Sequence, residues 1–115
     1  MRTIIAGGRE VTEYAHIIRA TQRCGWTPAV VISGHARGVD KLGELWAERN
    51  KIPCEIFPAN WDLYGNKAGP IRNNQMAEVA DALIAIWDGK SRGTKHMIDT
   101  ATKKGLKVYV HLLNK

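Results

Sequence analysis

Apolar and β-branched residues are concentrated in five short runs, Thr3–Ala6, Ala29–Ser33, Cys54–Phe57, Leu83–Trp87 and Leu106–His111. Between them, apolar residues recur every three or four positions. Short runs bounded by glycine and polar turns read as buried strands, and the 3.6-residue period between them reads as helix. The alternation is that of βαβ units and predicts a parallel sheet. In the first intervening segment Val11, Tyr14, Ala15 and Ile18 fall at i, i+3, i+4 and i+7, a continuous apolar stripe. In the second, Val39, Leu42 and Trp46 share one side, leaving Glu44, Glu48 and Arg49 for solvent; Gly43 there costs about 1 kcal/mol against alanine unless close packing needs it. Gly69-Pro70 opens a third helix carrying Met76, Ala77, Val79 and Ala80. The fourth is expected to open at Thr94 as its N-cap, to turn Met97, Ile98 and Ala101 to the sheet, and to end at Lys103-Lys104-Gly105. Right-handed crossovers, with a switch point between the first and fourth strands, give the expected order 3-2-1-4-5 in a three-layer α/β/α unit.

Composition narrows this without changing it. A chain of 115 residues without repeat or linker is expected to be a single domain over 1–115. No apolar stretch approaches the roughly 18 residues of a membrane span, and no long apolar segment at the start suggests a secretory signal. Two cysteines, Cys24 and Cys54, without CxxC or a His/Cys cluster, read as a reduced cytoplasmic chain with no metal site. No cofactor is expected. Seventeen basic against 11 acidic residues give a net charge of +6, which favours an anionic partner: nucleic acid, nucleotide or phosphorylated metabolite.

The position of the charges carries more information than their sum. In open α/β sheets ligands bind beyond the carboxyl ends of the strands, where helix amino ends present free N–H groups. Four segments fall at that edge: Gly7–Glu10, Ser33–Asp40, Pro58–Asn73 and Asp88–Thr94. Arg9, Arg37, Lys67, Arg72, Lys90 and Arg92 lie in them, as do Gly7, Gly8, Gly34, Gly38, Gly65, Gly69, Gly89 and Gly93. Glycine allows positive φ and close approach of backbone amides, and arginine offers paired donors to phosphate. One such loop is simply what a tight turn requires; four at one edge predict a phosphate cradle. None is a Walker A or GxGxxG sequence, so kinase-like and dehydrogenase readings are disfavoured.

Gly7-Gly8-Arg9, the block Ser33-Gly34-His35-Ala36-Arg37-Gly38-Val39-Asp40, Pro58-Ala59-Asn60-Trp61 with Tyr64-Gly65, and Ala68-Gly69-Pro70-Ile71-Arg72-Asn73 with Met76 together resemble the YspA/cpYpsA-related branch of the SLOG superfamily. Relatives there include the DprA/Smf proteins, the LOG phosphoribohydrolases and sensors of NAD- or ADP-ribose-derived nucleotides. The resemblance implies a Rossmann-like sheet with a nucleotide at its glycine-rich edge. Arg72 with Met76 looks like the arginine element of the LOG enzymes, Arg72-Asn73 is similar to the Arg-Asn of DprA, and Gly93-Thr94 looks like the pair that caps a phosphate-binding helix. Three residues after that threonine the LOG enzymes carry a glutamate that takes part in hydrolysis. Here the residue is Met97, a thioether that can neither hold charge nor orient water.

Several side chains admit two roles. Asp40 would orient a ribose hydroxyl or merely complement a helix dipole. Of Trp61 and Tyr64, one is expected to stack on a base and the other to close the core. His35 is a candidate phosphate donor, whereas His16 and His111 read as structural, His96 as a helix-surface residue, and Trp26, Trp46 and Trp87 as packing. The expected ligand-binding set is Gly7, Gly8, Arg9, Ser33, Gly34, His35, Ala36, Arg37, Gly38, Asp40, Trp61, Tyr64, Arg72, Asn73, Asp88, Gly89, Gly93 and Thr94. The leading reading is a nucleotide sensor or sequestering module, its ligand ADP-ribose-like, NAD-like or cyclic. The alternatives are hydrolysis of an N-glycosidic bond, with Arg72, Asp40 and Asp88 as catalytic candidates, and DprA-like binding of single-stranded nucleic acid. A homodimer or higher homo-oligomer is admitted by small size and by relatives that pair through helices.

Overall fold

A computed structural model describes residues 1–113. Five parallel strands form one sheet in the order β3-β2-β1-β4-β5: β1 Arg2–Gly7, β2 Val30–Ser33, β3 Cys54–Ile56, β4 Ala82–Trp87 and β5 Lys107–Leu112. The expected topology is therefore the observed one. β1 and β4 pair from Thr3↔Ala82 to Gly7↔Ile86, and β1 pairs with β2 from Arg2↔Val30 to Ile4↔Ile32. The period of two explains the three layers. Ile4, Ala6, Ile32, Leu83 and Ala85 face α4 (Ala68–Val79) and α5 (Arg92–Lys103), where Met76, Ala77, Met97 and Ala101 complete one core. Ile5, Val31, Ile84 and Ile86 face α1 (Ala15–Arg23) and α2 (Val39–Arg49), where Ile17, Ala20, Val39 and Ala47 complete the other. Covered on both faces, the central strands are continuous apolar runs, as buried parallel strands are.

Three expectations fail at the helix ends. Residues 11–14 are loop, and α1 begins at Ala15; its buried face runs through Ile17, Ala20 and on to Cys24, while Ile18 is 38% exposed. Val11 and Tyr14 pack on the same core from the loop, so the apparent stripe mixed two elements. The segment 58–73 is mostly helical. Asn60 Oδ1 accepts the Leu63 N–H at 3.1 Å and caps a short α3 (Trp61–Tyr64); a 3-10 turn (Gly65–Lys67) leads into α4, with Pro70 in its first turn. Finally, α5 is capped by Ser91 rather than Thr94. Ser91 Oγ accepts the Thr94 N–H at 3.4 Å, which leaves Thr94 buried inside the first turn.

Glu44 does not project freely into solvent. It accepts the Ser33 hydroxyl proton at 2.7 Å and holds His35 Nδ1 at 2.9 Å. Trp26 and Trp46 pack against the core beneath α1 and α2, as expected, whereas Trp87 lies outside both core clusters; Trp26 donates its N–H to Thr3 Oγ1 (3.0 Å) and Trp87 to the Ser91 carbonyl (3.1 Å). Among the described residues no helix is long and apolar enough to cross a membrane.

Gly43 resolves the other way from its propensity. A Cβ there would stand 2.9 Å from Ile5 Cγ2 and 3.1 Å from Ile5 Cβ, so α2 lies against β1 only because that position has no side chain. We expect Gly43→Ala to destabilise by about 1–3 kcal/mol through overpacking, despite the gain of about 1 kcal/mol in helix propensity. Urea denaturation reads the sign directly, and a more stable variant would contradict the packing account.

Candidate functional site

At the carboxyl edge, the connections from β1 and β4 leave in opposite directions and open a crevice between them. It is a cleft of about 760 Å³, walled by the β1–α1 loop, the turn before α2, the first turns of α4 and the β4–α5 connection with the start of α5. Among the described residues no group of three or more His, Cys, Asp or Glu side chains is gathered as a metal site would require.

The two helix amino ends nearest the crevice differ. In the turn that leads into α2 the backbone donors are taken up from within: the His35 N–H donates to Ser33 Oγ (3.1 Å), the Ala36 N–H to Asp40 Oδ2 (3.1 Å), and the N–H of Val39, the first residue of the helix, to the Gly8 carbonyl (3.2 Å), while the acid Asp40 stands in the first turn itself. Gly38, at φ 80°, makes this possible, since a Cβ there would lie 2.7 Å from the Arg9 Cα. At α5 only the cap residue intervenes. Asp88 Oδ1 accepts the N–H groups of Lys90 and Ser91, both at 2.8 Å, and folds the connection so that Ser91 takes the cap position. The N–H groups of Arg92 and Gly93 have no partner among the described residues, and the space around Gly93 is open.

The expected site residues therefore divide. Gly7, Gly8 and Arg9, then Ala36 and Asp40, Trp61, Arg72 and Asn73, and Asp88, Gly93 and Thr94 all line the cleft. Ser33, Gly34, His35, Arg37, Gly38, Tyr64 and Gly89 do not. Ser33 is buried and spent on Glu44; the Gly34 carbonyl accepts from Arg72 Nη1 at 2.8 Å; Gly38 backs onto Gly8. His35 turns towards Glu44 and Lys41, and Arg37, 73% exposed, pairs with Glu10 at 2.8 Å. Gly89 lies within the turn that Asp88 closes. Neither aromatic is core: Trp61 and Tyr64 are 48% and 43% exposed, and only Trp61 faces the cleft, with the Arg9 guanidinium 5.7 Å from its ring centre.

Glu10, Glu13, His16, Ser91, Arg92, His96 and Leu113 also line the cleft, though outside the expected ligand-binding set. Ser91 and Arg92 sat in a loop already noted as basic, and His96 stands three residues after Gly93, on the same helical face. That spacing was the available signal for His96, which is not a simple surface residue. His16 and His111, each read as structural, stand Nδ1 to Nε2 at 3.2 Å, a pairing the sequence did not indicate, and His16 lines the cleft as well. Nothing local marks Leu113.

Charge within the cleft is mixed. Arg9, Arg72 and Arg92 face Glu10, Glu13, Asp40 and Asp88. Asp88 is exposed, and its two backbone donors hold its carboxyl below the ordinary range. Asp40 is only 5% exposed, and burial pushes it up to about 6, against the Ala36 N–H and the Arg72 guanidinium, which favour the charged form. Burial in turn lowers Arg72, which Asp40 opposes. Arg72 is no free crest arginine: it ties Gly34 to α4 and donates through Nε to Asn73 Oδ1 at 3.0 Å.

An open, parallel α/β sheet with its cleft at the switch point is the class these features define. The sequence profile described as the YspA, cpYpsA-related SLOG family matches residues 1–64, and the chain belongs to that family. It is 38% identical to the Gene 61 protein of Mycobacterium phage D29, over 69% of this chain and 68% of that one. Its fold is similar to that of DNA processing protein A (DprA) from Streptococcus pneumoniae, with a TM-score of 0.75 and 17% identity over 95% of this chain. The match spans 49% of the DprA chain, about half its length.

Asp40 gives a pH test. Its carboxyl binds a proton more tightly in the folded chain, at about 6, than in the unfolded chain, at about 3.9. Its contribution is therefore most favourable below about pH 4, is lost as pH rises towards 6, and is constant above. A difference of that size is worth on the order of 2–3 kcal/mol. Asp40→Asn keeps an acceptor for Ala36 and removes the buried charge. We expect the variant to be more stable than the parent at neutral pH by about 1–3 kcal/mol, with the gain vanishing near pH 4 in urea titrations.

Proposed function

We propose that the cleft binds a nucleotide or nucleotide-derived ligand, ADP-ribose-like, NAD-like or cyclic, and that the protein serves as a sensor or sequestering module for it. The observation that carries this reading is the convergence of the open amino end of α5 with Arg9, Arg72 and Arg92 at the β1/β4 crevice. A phosphate there gains free backbone N–H groups and the helix dipole together with charge-assisted side-chain donors. The first turn of α2 already holds the acid Asp40, whereas that of α5 holds none and Asp88 is engaged by two backbone N–H groups ahead of it, so we place the phosphate at α5. Asp40, Glu10 and Glu13 are acceptors suited to ribose hydroxyls, and the Trp61 ring offers a base a stacking surface beside Arg9. A volume of about 760 Å³ is ample for such a ligand.

A second reading, hydrolysis of an N-glycosidic bond, is favoured by Asp40: a buried carboxyl at about 6 in a cleft suits general acid/base work near neutrality. Against it stands Met97, which is 1% exposed and occupies the position of the hydrolytic relatives' glutamate. Nucleic-acid binding, the activity suggested by the name of the DprA neighbour, draws on the net charge of +6, but four carboxylates line the cleft itself. Steep loss of affinity for single strands between about 50 and 200 mM salt would favour it.

Thermal titration against AMP, ADP-ribose, NAD and cyclic dinucleotides tests the leading reading. A true ligand raises stability by about 2.7 kcal/mol at one hundred times its dissociation constant. Arg9→Ala and Trp61→Ala should each weaken binding by about 1–3 kcal/mol, whereas Arg37→Ala, outside the cleft, leaves it nearly unchanged. If no member of the panel stabilises the protein, the reading is wrong. Rapid release of base from AMP, abolished by Asp40→Asn, would establish the hydrolase instead.

A further inference from the structure

Asn73 is 6% exposed and holds three neighbours at once. Its Oδ1 receives Arg72 Nε at 3.0 Å, and its Nδ2 lies 3.5 Å from the Gly93 carbonyl and 3.1 Å from His96 Nδ1. A guanidinium only donates, so the atom facing Arg72 must be the amide oxygen. The amide nitrogen is then the one facing His96, and since both of its protons are donors, His96 Nδ1 must accept. A neutral imidazole that accepts at Nδ1 carries its proton on Nε2.

That second nitrogen has no hydrogen-bond partner among the described residues, and no buried side-chain nitrogen or oxygen among them lacks one, so Nε2 is open rather than sealed. His96 lines the cleft, one turn along α5 from Gly93, where space is free. Side chains on a helix lean towards its amino end, the end at which the Arg92 and Gly93 amides stand open.

We infer that the Arg72–Asn73–His96 relay fixes His96 as a neutral Nε2–H donor aimed at the phosphoryl oxygens of the ligand held at the amino end of α5. The inference rests on the phosphate-binding reading of the cleft and adds a specificity residue to it. A neutral donor grips an acceptor oxygen without adding a cation beside Arg92, and it is turned towards acceptors, not donors. It also explains why a buried asparagine follows the arginine directly: Asn73 passes the arginine's polarity across to α5, setting the histidine tautomer by a guanidinium that never loses its proton.

Two measurements test it. Nitrogen NMR of the His96 ring in the free protein, in alkaline buffer, should report the Nε2–H tautomer; an Nδ1–H ring overturns the inference whatever the ligand. Calorimetric titration with AMP should find affinity reduced about tenfold or more in His96→Leu and largely restored in His96→Gln, whose amide N–H reaches the Nε2 position. Both variants are expected to fold, because Asn73 keeps its bonds to Arg72 and Gly93. Equal affinity of the parent and His96→Leu overturns the inference while leaving phosphate binding intact. Failure of the parent to bind AMP, ADP-ribose and inorganic phosphate overturns the phosphate-binding reading and the ligand role of His96 with it, and is distinguished from the other outcomes by the parent's own titration.

Discussion

The cleft depends on a backbone contact between the end of β1 and the start of α2. The Val39 N–H donates to the Gly8 carbonyl, and the contact is permitted by two missing side chains: a Cβ on Gly38 would strike the Arg9 backbone, and one on Gly7 would stand 2.6 Å from Val39 Cγ2. With the two chains this close, the first amide of α2 is consumed and Asp40 is carried inwards, where it takes the Ala36 N–H. A helix end that would ordinarily attract an anion is thus already neutralised by one of its own residues. At α5 the acid, Asp88, holds the Lys90 and Ser91 N–H groups ahead of the helix and the first turn itself contains none, which is the asymmetry on which the proposed phosphate position rests.

Burying Asp40 has to be compensated, and the compensation builds the rest of the site. Arg72 lies near enough to favour the charged carboxylate, yet it makes its hydrogen bonds to Gly34 and Asn73. The guanidinium therefore acts as a strut between the turn before α2 and the helix α4, with its charge shared between Asp40 and the cleft. Asn73 extends the strut to α5. Buried polar networks of this kind are stable only when complete, since each unpaired group costs its full desolvation. Among the described residues no buried side-chain nitrogen or oxygen is without a partner.

The strand order and the two-faced core were legible because both follow from local pattern and handedness: alternation assigns Ile4 and Ile5 to opposite faces, and right-handed crossovers then leave few orders. The helix opened by Gly69-Pro70 is legible, but the turns at 61–67 read as loop because they are short and their glycine and asparagine look like turn residues. What identifies them as structured is a cap, Asn60 to Leu63, that propensity alone does not weigh. Glycine and arginine pointed to the carboxyl edge, where the cleft lies, but not to which backbone donors are left open there. That depended on hydrogen bonds between segments far apart in the chain, such as Arg72 to Gly34, and on a histidine whose role is set by an asparagine 23 positions earlier. Arg37 and His35 looked equivalent to Arg72 in sequence, and only the partners available to each separate them.

The two parts of the chain contribute opposite charge to the cleft. From residues 1–64, the stretch matched by the family profile, come Glu10, Glu13 and Asp40 against Arg9, together with Trp61. From residues 65–113 come Arg72 and Arg92 against Asp88, with the free amides of α5 and the Asn73–His96 pair. The first part is thus a wall of acceptors with an aromatic face, the second a set of donors. The stretch matched by the family profile therefore contains most of the cleft's acceptors and the pinched backbone beside them. Apart from Arg9, the donors of the proposed anion site lie outside the matched stretch, tied to it through the Arg72 strut.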